Sequence, residues 1–218
     1  MKTYVEVLEE AIEQYIGLLV LERIRAAPEK ALGLFQQQIC ATMLFMDVRS
    51  FSQYAKKMLL EDLMSELNGY LAIMSEIIVR NRGFIDSIIG DEIFAIFGIS
   101  KDHHADDACN AAIECLKALG IHNKRQGNKV FFDIGMGINS GNVVLENIGS
   151  KCKLKFTVMG DNVNLAARME GSTLQYKCNV MLTENTKKLL TQEHDMKELG
   201  SIPVKGFDGE IRVYSLQE

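Results

Sequence analysis

From Ile39 onward, short apolar runs and amphipathic stretches alternate in an order few folds can satisfy. The hydrophobic pattern predicts a strand over 40–48, a helix over about 52–81, and strands over 84–89 and 92–97. A helix over about 104–119 and a strand over 130–139 follow. The long helix is marked by Leu60, Leu63, Leu67, Tyr70, Met74 and Ile77, which recur at three and four. Gly83 and Gly90 supply the small residues that the two strand turns need.

Strand, helix, strand, strand, helix, strand is the order of the split βαβ unit. The expected fold class is therefore α+β, with a ferredoxin-like βαββαβ core and a mostly antiparallel sheet. In that unit the first strand and the middle hairpin are spatial neighbours. Beyond the core the pattern predicts strands at 142–147 and 154–159, a helix at 161–174, a strand at 178–182 and a short helix at 184–190. Closing strands are expected near 195–200 and 210–216.

The N-terminal segment reads differently. Val5, Leu8, Ile12, Tyr15 and Leu19 form one stripe of a helix over residues 3–25. Two heptads suit a short dimer-contacting helix. Pro28 ends it, and a second short helix is expected over 29–37. Residues 1–38 thus form a helical extension for dimer contact or signal transmission, and residues 39–218 form one catalytic-size domain.

Composition narrows the function classes. A chain of 218 residues with 47% hydrophobic and 24% charged residues supports one substantial core. The net charge of −5 gives no basic footprint for nucleic acid or an acidic membrane, so a small-molecule or protein partner is expected. The five cysteines, Cys40, Cys109, Cys115, Cys152 and Cys178, lack paired metal spacing and read as reduced thiols of a cytoplasmic domain. The longest N-terminal apolar run, Tyr15–Leu21, is flanked by glutamates, so neither signal peptide nor membrane span is expected.

Asp47 closes the apolar run Met43-Leu44-Phe45-Met46, and Asp91 follows Ile88-Ile89-Gly90. Singly, each reads as a strand-end cap or a turn residue. As neighbours in a split βαβ unit they would repel unless a cation lay between them. Hard divalent ions take such carboxylates together with substrate phosphates, which points to a nucleoside triphosphate. Asn164 and Arg168 stand four apart on one helical face after Gly160-Asp161. That pattern fits a solvated stripe as well as a ribose-orienting amide and an arginine aimed at a phosphoryl group. Lys205 precedes Gly206, where a triphosphate could approach the backbone. His103 and His104 with Asp106 and Asp107 read as a helix start, not a metal site.

Taken in order, several runs resemble the catalytic domain of class III nucleotidyl cyclases, the adenylyl and guanylyl cyclase homology domain, and are most like the bacterial-type adenylyl cyclases. They are Phe45-Met46-Asp47-Val48-Arg49-Ser50-Phe51, residues 83–98 around Ile88-Ile89-Gly90-Asp91, residues 135–141, residues 147–150, residues 156–170 and Val204-Lys205-Gly206. The similarity spans about residues 39–216.

The resemblance implies a phosphorus–oxygen lyase in which the ribose 3′ oxygen attacks the α phosphorus of ATP, giving 3′,5′-cyclic AMP and pyrophosphate. It implies two Mg²⁺ or Mn²⁺ ions per site on Asp47, Asp91 and the Val48 carbonyl. Amides of Arg49, Ser50 and Phe51 would cradle phosphates. Asn164 would orient the ribose, Arg168 would stabilise the transition state and Lys205 would hold the terminal phosphate. Such sites lie between two chains, so a homodimer with two shared sites is implied, with an upstream sensor domain or regulator acting on it.

Two positions depart from the family pattern. The base-selecting position, typically Lys or Glu, is Ser87; its partner is Thr157, as in many bacterial adenylyl cyclases. Ser87 leaves GTP or a broader nucleotide range as the alternative. Asp133 stands where many relatives carry Arg, and would repel the triphosphate unless Lys129 or a metal compensates. A degenerate nucleotide-binding dimerisation module is the reading from another class.

Overall fold

The computed structural model describes residues 2–99, 103–124 and 130–217. Lys129 lies outside them. The first strand, β1 (Gln36–Val48), is followed by α4 (Phe51–Lys57) and α5 (Leu60–Arg80), then by β2 (Phe84–Ile89) and β3 (Glu92–Phe97). Helix α6 (His104–Asn123) leads into β4 (Ile134–Ser150), β5 (Lys153–Met159), α7 (Asp161–Ser172) and β6 (Val180–Thr183). Helix α8 (Glu184–Leu189), β7 (Met196–Pro203) and β8 (Glu210–Leu216) close the described chain, and α1 (Tyr4–Ile16), α2 (Leu18–Ala26) and α3 (Pro28–Ala31) precede it.

The sheet order is β2-β3-β1-β4-β6-β8-β7, with β5 paired to β4. Its first four strands are antiparallel and carry the expected ferredoxin-like arrangement; the β4–β6 pairing is parallel. Strand β1 is central and buried on both faces. Leu44 and Met46 pack with α5 and α6 through Tyr70, Met74, Ile78 and Cys115. Ala41 and Met43 face a second cluster with Phe94, Val143, Leu145, Phe156 and Ala166. Burial on both faces explains why β1 reads as a continuous apolar run and not as an alternating one.

Several boundaries differ from expectation. The long helix is two helices, because Met58 and Leu59 leave helical geometry between α4 and α5. The N-terminal stripe is broken at Gly17, whose φ of 93° no helix accommodates. β1 starts at Gln36, inside the segment expected to continue the second short helix. The two strands expected at 130–139 and 142–147 are one strand. Ser140, Gly141 and Asn142 stay extended because they pair with Thr42, Ala41 and Cys40 of β1. Gly141 serves close approach and not a turn, since a Cβ there would meet the Asn162 side chain at 2.5 Å.

Cys109, Cys115 and Cys178 are buried, Cys40 and Cys152 are exposed, and all five are free thiols. Among the described residues no helix is long and apolar enough to cross a membrane. His103 and His104 do open α6. There the Asp106 carboxylate accepts from the Thr191 and Gln192 amides, and Asp107 pairs with Arg82.

Candidate active site

Asp47 is the penultimate residue of β1, and Asp91 sits in the tight β2–β3 turn after Gly90, whose φ is 65°. Because Met46 pairs with Ile93, that turn lies beside the end of β1. The two carboxyls are in hydrogen-bond contact, and Asp91 also accepts from the Val48 N–H. Burial and the Asp47 charge push Asp91 up to about 6.

Two further acids feel the same charge. Glu92 is raised by burial and by Asp47, and Glu170 on α7 is pushed up to about 7 by burial, Asp47 and Glu92, with Arg49 opposing. They surround the pair electrostatically without completing a cage. No group of three or more His, Cys, Asp or Glu side chains is arranged to hold a metal among the described residues. Reasoning from sequence missed Glu92 and Glu170, since an acid beside an Asp or late in a polar helix carries no distinctive pattern.

Arg49 has a different task from the expected one. Its backbone N–H donates to the Asp133 carbonyl at 2.8 Å, so that amide is already engaged. Its guanidinium donates to Asp133 Oδ2 at 2.9 Å and to the Cys178 carbonyl at 2.6 Å. Asn179 donates to the other Asp133 oxygen at 3.0 Å. Asp133 is thus neutralised by Arg49. Ser50 follows in the left-handed region at φ 58° and turns the chain into α4.

Helix α7 buries Leu165, Ala166 and Met169, which leaves Asn164 and Arg168 exposed on its outer side. It lies hard against β4: a Cβ on Gly137 would stand 2.0 Å from the Glu170 amide nitrogen. Lys205 is exposed in the turn after β7, and the preceding Val204 packs with Leu165 and Met169. Helix α7 and the Lys205 turn therefore share one packing unit. The charges that weigh most on Asp91, Glu92 and Glu170 are those of one another, Asp47 and Arg49. The carboxylates thus sit at the end of β1 and in the β2–β3 turn, and the exposed Arg168 and Lys205 on α7 and in the turn after β7.

Ser87 pairs with Phe94 in the β2–β3 register, and its hydroxyl donates to Asp86 Oδ2 at 3.0 Å. Thr157, opposite Glu146 on β4, is buried. A cavity of about 1130 Å³ lies at this end of the sheet, between β2, β5 and the Gly17 break. Asp86, Ser87 and Lys155 line it, but Asp47, Asp91, Asn164 and Arg168 do not.

Residues 35–218 match the model of the adenylate and guanylate cyclase catalytic domain. The chain is 35% identical over 185 residues to an adenylate cyclase of Anabaena cylindrica, covering 81% of this chain and 36% of that protein. It is 32% identical over 179 residues to the terminal-differentiation specific adenylate cyclase of Dictyostelium discoideum, covering 80% of this chain and 8% of that protein. The chain thus spans about a third or less of these relatives. Among solved structures, the adenylyl cyclase CyaB from P. aeruginosa superposes with a TM-score of 0.78 at 27% identity, over 84% of this chain and 96% of that one. A bacterial light-regulated adenylyl cyclase reaches 0.85 at 26% identity, over 97% of this chain and 62% of that one. With the family match running from β1 to the end, and with Asp47, Asp91, Asn164 and Arg168 on the elements described, the chain belongs to the adenylate and guanylate cyclase catalytic domain family.

Proposed function

We propose that this domain converts ATP to 3′,5′-cyclic AMP and pyrophosphate as a homodimer with two shared sites. The observation that carries the reading is that Asp47 and Asp91 meet at the end of β1, while Asn164, Arg168 and Lys205 are exposed on α7 and the turn after β7, where a partner chain can use them. A second copy brings the missing half to each site. Thr157 and the relatives named as adenylate cyclases support ATP as the substrate.

The carboxylate pair fits a hard divalent cation. Its donors are all oxygen, and burial with the Asp47 charge raises Asp91, a repulsion that Mg²⁺ or Mn²⁺ between them would relieve. Asp47, Asp91 and the Val48 carbonyl would hold two such ions. Bound there, they supply Lewis acidity toward the ribose 3′ oxygen and the triphosphate. The rest of the work belongs to side chains and amides. The Ser50 and Phe51 amides face the phosphates, Asn164 hydrogen-bonds the ribose, and Lys205 holds the terminal phosphate. Arg168 donates to the α-phosphoryl oxygens as their charge grows.

Val5, Leu8 and Tyr15 leave an apolar stripe of α1 exposed, which supports a role for this extension in dimer contact and in receiving a signal from a regulator. A cytoplasmic setting follows from an intracellular nucleotide substrate. A guanylyl or broader specificity is favoured by one observation: the Ser87 hydroxyl donates its proton to Asp86, so it has none to offer an acceptor on a base.

Incubation with Mn²⁺ and each of ATP, GTP, CTP and UTP, with products separated by chromatography, tests the reading. Cyclic AMP from ATP is expected as the main product. A different cyclic nucleotide as main product would replace the substrate assignment, and none at all would sink the enzyme.

A further inference from the structure

Lys155 of β5 places its Nζ 2.5 Å from Asp86 Oδ2 of β2. The Asp86 side chain is closed to solvent and its Oδ1 has no hydrogen-bond partner, whereas the Lys155 side chain is half-exposed. The β2–β3 register slips between Ile85 and Ser87, a bulge that re-aims side chains which would otherwise point to opposite faces. The Ser87 hydroxyl consequently reaches Asp86 Oδ2 at 3.0 Å, so one carboxylate oxygen collects both neighbours. Phe84 and Phe156, edge to face at 5.8 Å, tie β2 to β5 beside the pair. All of these residues line the cavity of about 1130 Å³.

The pair is a weak stabilising device, because desolvating the Asp86 carboxylate offsets its attraction to a half-exposed ammonium. An ammonium has three donors, and Asp86 engages one. Lys155 lies two residues before Thr157 on β5, so both point to the same side of that strand.

We propose that Lys155 reads the nucleobase, donating to an acceptor on the edge of the purine, and that Asp86 is its positioning residue. Lys155 thereby supplies from β5 the donor that Ser87, its hydroxyl spent, does not provide from β2. The inference rests on the cyclase reading for the identity of the ligand. It concerns binding of the base and not turnover, so the two can fail separately. A donor-only group donates to adenine N1 and guanine O6 alike, which fits a purine pocket of modest selectivity.

The test is equilibrium binding of 3′-deoxy-ATP, which lacks the attacking oxygen, and of tripolyphosphate, which lacks the base. Because Lys155→Met alone would strand a buried carboxylate, it is combined with Asp86→Asn. The double variant should bind 3′-deoxy-ATP about 10- to 100-fold more weakly, the loss expected for one charged hydrogen bond, and tripolyphosphate as before. Adding Ser87→Lys to the double variant should return most of the affinity. Unchanged 3′-deoxy-ATP binding, an equal loss for tripolyphosphate, or no recovery with Ser87→Lys would each overturn the assignment. Wild-type protein that shows this pattern yet forms no cyclic product would sink the cyclase reading alone.

Discussion

Arg49 and Asp133 are bound to each other twice, through a guanidinium–carboxylate contact at 2.9 Å and a backbone hydrogen bond at 2.8 Å. The acid at 133, which by charge alone should repel a triphosphate, is therefore neutralised by the residue that follows β1. Asp133→Ala is expected to leave the KM for ATP within about twofold and to cost about 1 kcal/mol of stability, because the pair is partly exposed and Arg49 keeps its bond to the Cys178 carbonyl. Initial rates and urea unfolding measure the two. A KM that falls tenfold would mean that Asp133 still repels substrate.

Arg168 is exposed on α7 with its guanidinium free to meet a phosphoryl group. Arg168→Ala should lower kcat by about 10²- to 10³-fold, the usual loss when one transition-state donor is removed. A loss below tenfold would take Arg168 out of that role.

A homodimer with shared sites predicts complementation. Asp47→Ala and Arg168→Ala should each be inactive alone, and mixing them should restore activity, because a mixed dimer retains one complete site. Mixed dimers shown to form but remaining silent would argue for a site contained within one chain.

At Gly137 β4 and α7 approach closely, with the Ala166 carbonyl 2.3 Å and the Glu170 nitrogen 2.0 Å from a built Cβ. Gly137→Ala must push α7 off the sheet. A loss of at least about 2 kcal/mol in urea unfolding is expected, together with weaker activity, since Asn164 and Arg168 ride on that helix. Wild-type stability in this variant would show that α7 sits less tightly than described.

The raised carboxyls give the stability a pH dependence of definite sign. Asp91 moves from 3.8 to about 6 and Glu170 from 4.5 to about 7. Between those limits the native state binds more protons than the unfolded chain. Their contribution is full below the unfolded values and is lost as pH rises through the native ones. Metal-free protein should accordingly have a higher Tm at about pH 5 than at about pH 8, and Glu170→Gln should flatten the upper part of that slope. Thermal scans across this range check it, and a Tm that climbs toward pH 8 would contradict the assignment. Added Mg²⁺ should raise Tm more at the alkaline end, where the carboxylates are ionised.

Much of the fold was readable because its signals are local. The periodicity of α5 and the apolar run of β1 record burial against immediate neighbours, and they predict the split βαβ order that the sheet carries. What misled the reading was also local. Gly141 looks like a turn residue in isolation, and only contact with Asn162 explains why it lies mid-strand. Met58 and Leu59 carry no breaker signal, so the gap between α4 and α5 is set by packing and not by propensity.

The sequence by itself determined the family, the fold class and the paired aspartates, because strand-end carboxylates after apolar runs and an ordered set of motifs depend on residue type and spacing alone. Tertiary structure decided how the charges are partnered. Arg49 is spent on Asp133, Asp86 on Lys155 and Ser87, and Glu170 joins Asp47 from a distant helix. Those partnerships join residues far apart in the chain. Coulombic and desolvation energies depend on distance and burial, which no local pattern of residues encodes.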